Sequence, residues 1–130
     1  KLVFDNQTAR AQLESIVHPV IRCLIDDWFA RCADTTSNTV AIAEIPLLYE
    51  TNRAEVFDNV IVVSCAPKVQ VARIIKRDKL SAVDAQYRLA AQLPIARKIA
   101  AASWVVRTDG TNTDTAQQVD RLCLALQTAQ

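Results

Sequence analysis

Apolar side chains recur at positions 13, 16, 17, 20, 21, 24, 25 and 28, the three-and-four spacing of one stripe along a helix. Asp5-Asn6-Gln7-Thr8 supplies N-cap oxygens just before it, so the spacing predicts a helix through Ala9 to Val17. Pro19 interrupts that helix. A second one restarts at the proline, where a missing N–H costs nothing, and runs to about Cys32. The stripe is expected to be buried, with Trp28 in the core, and Asp34 to Asn38 reads as a polar loop. The pattern then changes. Thr39 to Ile45 is β-branched and almost continuously apolar, as a strand covered on both faces would be, and Pro46 ends it. Leu47 to Phe57 reads as a loop or short helix, and Asn59 to Ser64 as a second buried strand.

Pro67 suits the first position of a helix ending near Arg77. Ser81 and Asp84 approximate a capping box for a helix to Gln92, and Pro94 opens another to about Ala102. Trp104 to Arg107 reads as a third strand, with Trp104 in the core. A turn at Asp109-Gly110 closes it, the glycine being suited to positive φ. Thr113 or Asp114 caps a final helix whose apolar face is Val119, Leu122, Cys123 and Leu126. Buried strands alternating with helices predict an α/β fold, a parallel sheet with helices on both faces. Three strands make a thin sheet of that kind, and a further strand with its helix would complete it.

Composition narrows the function. Hydrophobic residues make up 51% of the 130, enough for a core. Fifteen basic against 14 acidic side chains give a net charge of +1, which argues against a dedicated nucleic-acid or membrane-surface protein. Cys23, Cys32, Cys65 and Cys123 never reach C-x-x-C spacing, so buried free thiols are expected and no metal site. No apolar run approaches the roughly 20 residues that cross a bilayer, and the start has no signal-peptide pattern. The first residue is Lys1, and the sequence reads as a fragment. Gly110 is the one glycine, so the 130 residues contain no G-x-x-x-x-G-K-[ST] phosphate loop.

Two blocks carry candidate chemistry. Pro46-Leu47-Leu48-Tyr49-Glu50 follows a predicted strand, where parallel sheets bind ligands. On spacing alone it is a strand end packing leucines under a surface loop. Glu44, a carboxylate among apolar neighbours, is expected to face the site or find an arginine. In the second block, Arg73, Lys76 and Arg77 stand at i, i+3 and i+4 and share a helix face. Clustered cations of this kind stabilise charge on a transferring phosphoryl group, although on charge pattern alone a solvated basic face is the better reading. The single histidine, His18, precedes Pro19 on a largely apolar helix and reads as structural.

Taken together, P-L-L-Y-E and the run from Gln70 to Gln92 (Q-V-A-R-I-I-K-R-D-x-L-S, then D-A-Q-Y-R-L-A-A-Q) resemble dephospho-coenzyme A kinase, a P-loop kinase of the nucleoside monophosphate kinase-like class. The resemblance runs in one order along nearly the whole chain. It implies transfer of the γ-phosphoryl of ATP to the 3′-hydroxyl of dephospho-coenzyme A, with Mg2+, in the cytoplasm; the main ATP and Mg2+ ligands would lie outside these residues. It makes Arg77 and Arg88 the lid-side phosphate ligands, and assigns Pro46, Leu47, Leu48 and Glu50 to the acceptor. His18 would contact the acceptor nucleotide or make a helix-end hydrogen bond. Arg73, Lys76, Thr108 and Gly110 fall on the ATP side, although the family more often has asparagine where Thr108 stands and aspartate where Arg107 stands. The implied layout is acceptor-side helices over 1–38, core strands and helix over 39–78, a lid over 79–96, and the terminal strand and helix over 97–130. Without a phosphate loop, the 130 residues alone are expected to be inactive. The alternative is a kinase-derived nucleotide-binding or interaction module that never had the loop.

Overall fold

The computed structural model describes residues 6–35 and 40–128. It divides into two compact units, Lys1–Glu44 and Ile45–Gln130.

The first unit is dominated by one helix, α1 (Gln7–Thr35), of 29 residues. Asn6 caps it as expected, its Oδ1 accepting from the Ala9 N–H at 3.0 Å. The predicted break at Pro19 is absent. The proline sits inside α1, where it removes one i→i−4 bond while the turns on either side keep theirs. The predicted burial of the apolar stripe also fails: Ile16 is 69% and Leu24 63% exposed, and Leu13, Val17, Val20, Ile21 and Trp28 are exposed too. Spacing sets which residues share a face, but a face is buried only where another element covers it. Asp34 and Thr35 belong to α1; the rest of the predicted loop, the Asp5 cap and Thr39 lie outside the described residues.

The predicted strand over Val40–Ile45 does not form. β-branched residues favour extended backbone, yet a strand exists only with a neighbour to bond, and this run has none among the described residues. Val40 and Ile42 are accordingly exposed.

In the second unit, turns over 46–52 and a single 3-10 turn, Ala54–Val56, lead to β1 (Ile61–Ser64). The helices α2 (Pro67–Asp78), α3 (Ala82–Ala90) and α4 (Ile95–Ala101) follow, then β2 (Trp104–Arg107) and α5 (Asn112–Thr128). The fold class holds: this is α/β, with β1 and β2 parallel and in register from Ile61 opposite Trp104 to Ser64 opposite Arg107. The sheet described has two strands rather than three. Helix α4 packs on β1 and α5 on β2, and the core comprises Val62, Val106, Leu122, Ala85 and the buried Ser64.

Local chemistry explains the helix ends. Pro67 opens α2, and Lys79 closes it in left-handed conformation at φ 53°. Ser81 caps α3, its Oγ accepting from the Asp84 N–H at 3.1 Å. For α5 the cap is Thr111 rather than Thr113 or Asp114. Its Oγ1 accepts from the Asp114 N–H at 3.1 Å, and Asp114 Oδ2 accepts from the Thr111 N–H at 2.8 Å, a complete capping box. Gly110 does not take positive φ. Its role is space, since a Cβ there would stand 2.7 Å from Asp114 Oδ2. The outer side of β2 is finished by Gln118, whose amide accepts from Arg107 N–H at 2.9 Å and donates to its carbonyl at 2.8 Å, as a neighbouring strand would. Trp104 is at the rim of the core, 37% exposed, its indole N–H donating to Asn59 Oδ1 at 3.2 Å. On α5, Leu122 is buried, Leu126 is half-buried, and Val119 and Cys123 are exposed, so the apolar face is narrower than its spacing predicts. All four cysteines are free, but none is buried as expected: Cys23 and Cys123 are exposed, and Cys32 and Cys65 are half-buried.

A basic cleft as the candidate functional site

β1 ends at Ser64, and the chain passes through Cys65 and Ala66 into α2. A cleft of about 700 Å³ opens at this carboxyl end of the strand. Cys65, Gln70, Arg73, Ile74, Lys76 and Arg77 line it from the β1–α2 side; Arg88, Leu89 and Gln92 line it from α3 and just beyond. The i, i+3, i+4 spacing of Arg73, Lys76 and Arg77 thus puts three cations on one wall, and the packing of α2 on α3 adds Arg88. Four cations around one volume suit a polyanion such as a phosphate chain.

Asp78 organises part of this charge. Its Oδ1 accepts from Arg77 Nε at 2.8 Å, and its Oδ2 accepts from Arg77 Nη2 at 3.0 Å and from Arg88 Nη1. The hydrogen bonds from Arg77, aided by the charges of both arginines, hold the Asp78 carboxyl below the ordinary carboxylate range. Arg73 is tied elsewhere: Nη1 donates to Thr108 Oγ1 at 2.8 Å and Nη2 to the Thr108 carbonyl at 2.6 Å. Thr108 in turn extends the ladder past β2, its N–H donating to the Ser64 carbonyl at 2.8 Å. The adjoining Asp109 accepts from the Ala66 N–H at the start of α2, a favourable place for a carboxylate. Of the residues assigned to the ATP side, Arg73 and Lys76 line the cleft and Thr108 is bonded to it through Arg73, while Gly110 lies in the exposed turn beyond.

The P-L-L-Y-E run forms turns in which Leu47, Leu48, Tyr49 and Glu50 are half-buried and Pro46 is exposed. Glu50 Oε1 meets Lys98 Nζ at 2.7 Å and accepts from the Leu93 N–H at 2.9 Å. Burial pushes the Glu50 carboxyl up, but the bonds from Lys98 and Leu93 outweigh it and leave the carboxyl below its usual range. The pair joins this loop to α4 and the segment just before it. Burial also raises the Tyr49 phenol, and Tyr49 Oη and Glu50 Oε2 are buried without a hydrogen-bond partner. Glu44 is exposed, contrary to the expectation of a site or arginine contact. His18 is half-buried on α1, in the first unit.

Sequence reasoning missed Lys98 and Cys65. Both had a signal: a carboxylate among leucines and an aromatic requires a cation, and the residue just past a buried strand's carboxyl end lines the crevice.

The family model for dephospho-CoA kinase matches residues 1–114. The chain belongs to the dephospho-CoA kinase family. It is 39% identical over 120 residues to the dephospho-CoA kinase of Anaeromyxobacter dehalogenans, covering 92% of this chain and 56% of that one. Against that of Cutibacterium acnes it is 37% identical over 123 residues, covering 93% and 52%. The chain therefore spans about half the length of the curated dephospho-CoA kinases it matches. Among solved structures, TT1252 from Thermus thermophilus aligns with a TM-score of 0.79 at 27% identity, over 95% of this chain and 62% of that one. A dephospho-CoA kinase from Campylobacter jejuni aligns at 0.67 and 29%, over 98% and 62%. The cleft and the P-L-L-Y-E turns both fall inside the matched residues.

Proposed function

We propose that a protein carrying these residues at the family's full length transfers the γ-phosphoryl group of ATP to the 3′-hydroxyl of dephospho-coenzyme A, the last step of coenzyme A formation, in the cytoplasm. The observation that carries this reading is the cleft at the end of β1, where Arg73, Lys76, Arg77 and Arg88 converge, within a chain of the dephospho-CoA kinase family. Phosphoryl transfer asks the protein mainly to position the reactants and to stabilise charge spread over the phosphoryl oxygens. Arg77 and Arg88 would serve the second need directly, as donors from the lid over 79–96 and the helix before it. Arg73, Lys76, Thr108 and Gly110 would serve the ATP side. Pro46, Leu47, Leu48 and Glu50, with His18, would serve the acceptor; the Glu50–Lys98 pair fixes the shape of that loop.

The fit to ATP extends to its phosphates, which match the cations of the cleft. It does not extend to the metal. No group of three His, Cys, Asp or Glu among the described residues could hold an ion, and Mg2+ would be held mainly by residues outside these 130. The 130 residues also lack a G-x-x-x-x-G-K-[ST] loop to cradle the ATP phosphates, so by themselves they should not catalyse transfer. A continuous assay of coenzyme A formation tests both statements. Turnover is expected from the full-length protein and none from the 130 residues; an inactive full-length protein, or an active short one, would contradict the reading.

A further inference from the structure

Arg77 and Arg88 lie on different helices and carry like charges, which repel unless an anion stands between them. Asp78 is that anion. It takes Arg77 in a two-point fork, through Nε at 2.8 Å and Nη2 at 3.0 Å, and shares the second oxygen with Arg88 Nη1. Its place is fixed by the backbone, as the last residue of α2 before the left-handed Lys79. Both arginines line the cleft, whereas Asp78 does not. A carboxylate inside the cleft would compete with a phosphate chain for the arginine donors. One outside it pulls the guanidinium groups together and leaves the bound volume cationic.

We infer that Asp78 is a positioning residue for polyphosphate binding: from outside the cleft it draws Arg77 and Arg88 into one donor wall. This rests on the cleft being the phosphate site. The test is calorimetric titration of the full-length protein with inorganic tripolyphosphate, without nucleotide or metal, for the unaltered protein, Asp78→Asn and Asp78→Glu. Thermal unfolding of each is measured alongside. Asp78→Asn should bind about tenfold more weakly, and Asp78→Glu, which restores the charge, should recover most of that loss. Equal or tighter binding by Asp78→Asn would overturn the inference, as would a lower Tm with unchanged affinity, or no tripolyphosphate binding by the unaltered protein. Coenzyme A formation is assayed separately. If the unaltered protein makes none, the kinase reading fails while the tripolyphosphate series still decides the role of Asp78.

Discussion

Gly110 and Thr111 illustrate how much rests on single side chains in the segment after β2. The backbone of Gly110 is conformationally ordinary, and its glycine is required by the approach of Asp114. Gly110→Ala should push Asp114 out of its bonds to Thr111 and cost about 1 kcal/mol, the usual worth of an N-cap. Thr111→Ala should cost a similar amount. Because both changes disable one capping box, the double variant should melt close to either single one; additive losses would contradict the shared cause. The T-x-x-D spacing that marks this cap was present in the sequence, but Thr113 and Asp114 offered rival oxygens within one turn, and only the folded backbone selects among them. Pro67, and Ser81 with Asp84, were legible because each has a single local solution.

Helices and strands divide along the same line. The ends of α2 follow from residues within a turn or two and stand as spacing predicts, and β2 stands where its pattern predicts because β1 is there to pair with it. Helix α1 runs on through Pro19 although the proline is a local signal to break. The absence of a strand at Val40–Ile45 depends on what lies beside the segment, which local pattern does not contain. The same limit hid the Glu50–Lys98 pair, which joins residues 48 positions apart to hold the P-L-L-Y-E turns on α4. Their side chains are only 19% and 12% exposed. Glu50→Ala would leave the Lys98 ammonium largely buried without its carboxylate and should cost about 3 kcal/mol in denaturant unfolding. A loss below about 0.5 kcal/mol, typical of exposed pairs, would contradict this. The pH dependence follows from the lowered carboxyls of Glu50 and Asp78. Each binds its proton more weakly folded than unfolded, so its stabilisation is complete above about pH 5, is lost as pH falls through the ordinary carboxylate range of about 4 and the lowered folded values, and is absent below them. Acid titration of Glu50→Gln should show a shallower loss over that window than the unaltered protein.

At the scale of the whole molecule, the proposed phosphoryl transfer rests on the residues that the fold gathers at the end of β1. The Gln70–Gln92 run was legible as a motif, while the cleft it builds, and the placing of Arg73 against Thr108 and of Asp78 between two arginines, appear only once α2, α3 and β2 are packed. The most direct measurement is the rate of coenzyme A formation by the full-length protein before and after Arg88→Ala. If the cleft grips the transferring phosphoryl group, kcat should fall about 100-fold or more, in line with removal of a donor that acts on transition-state charge, while the variant remains folded. An undiminished kcat would mean that this basic cleft is not where phosphoryl transfer takes place.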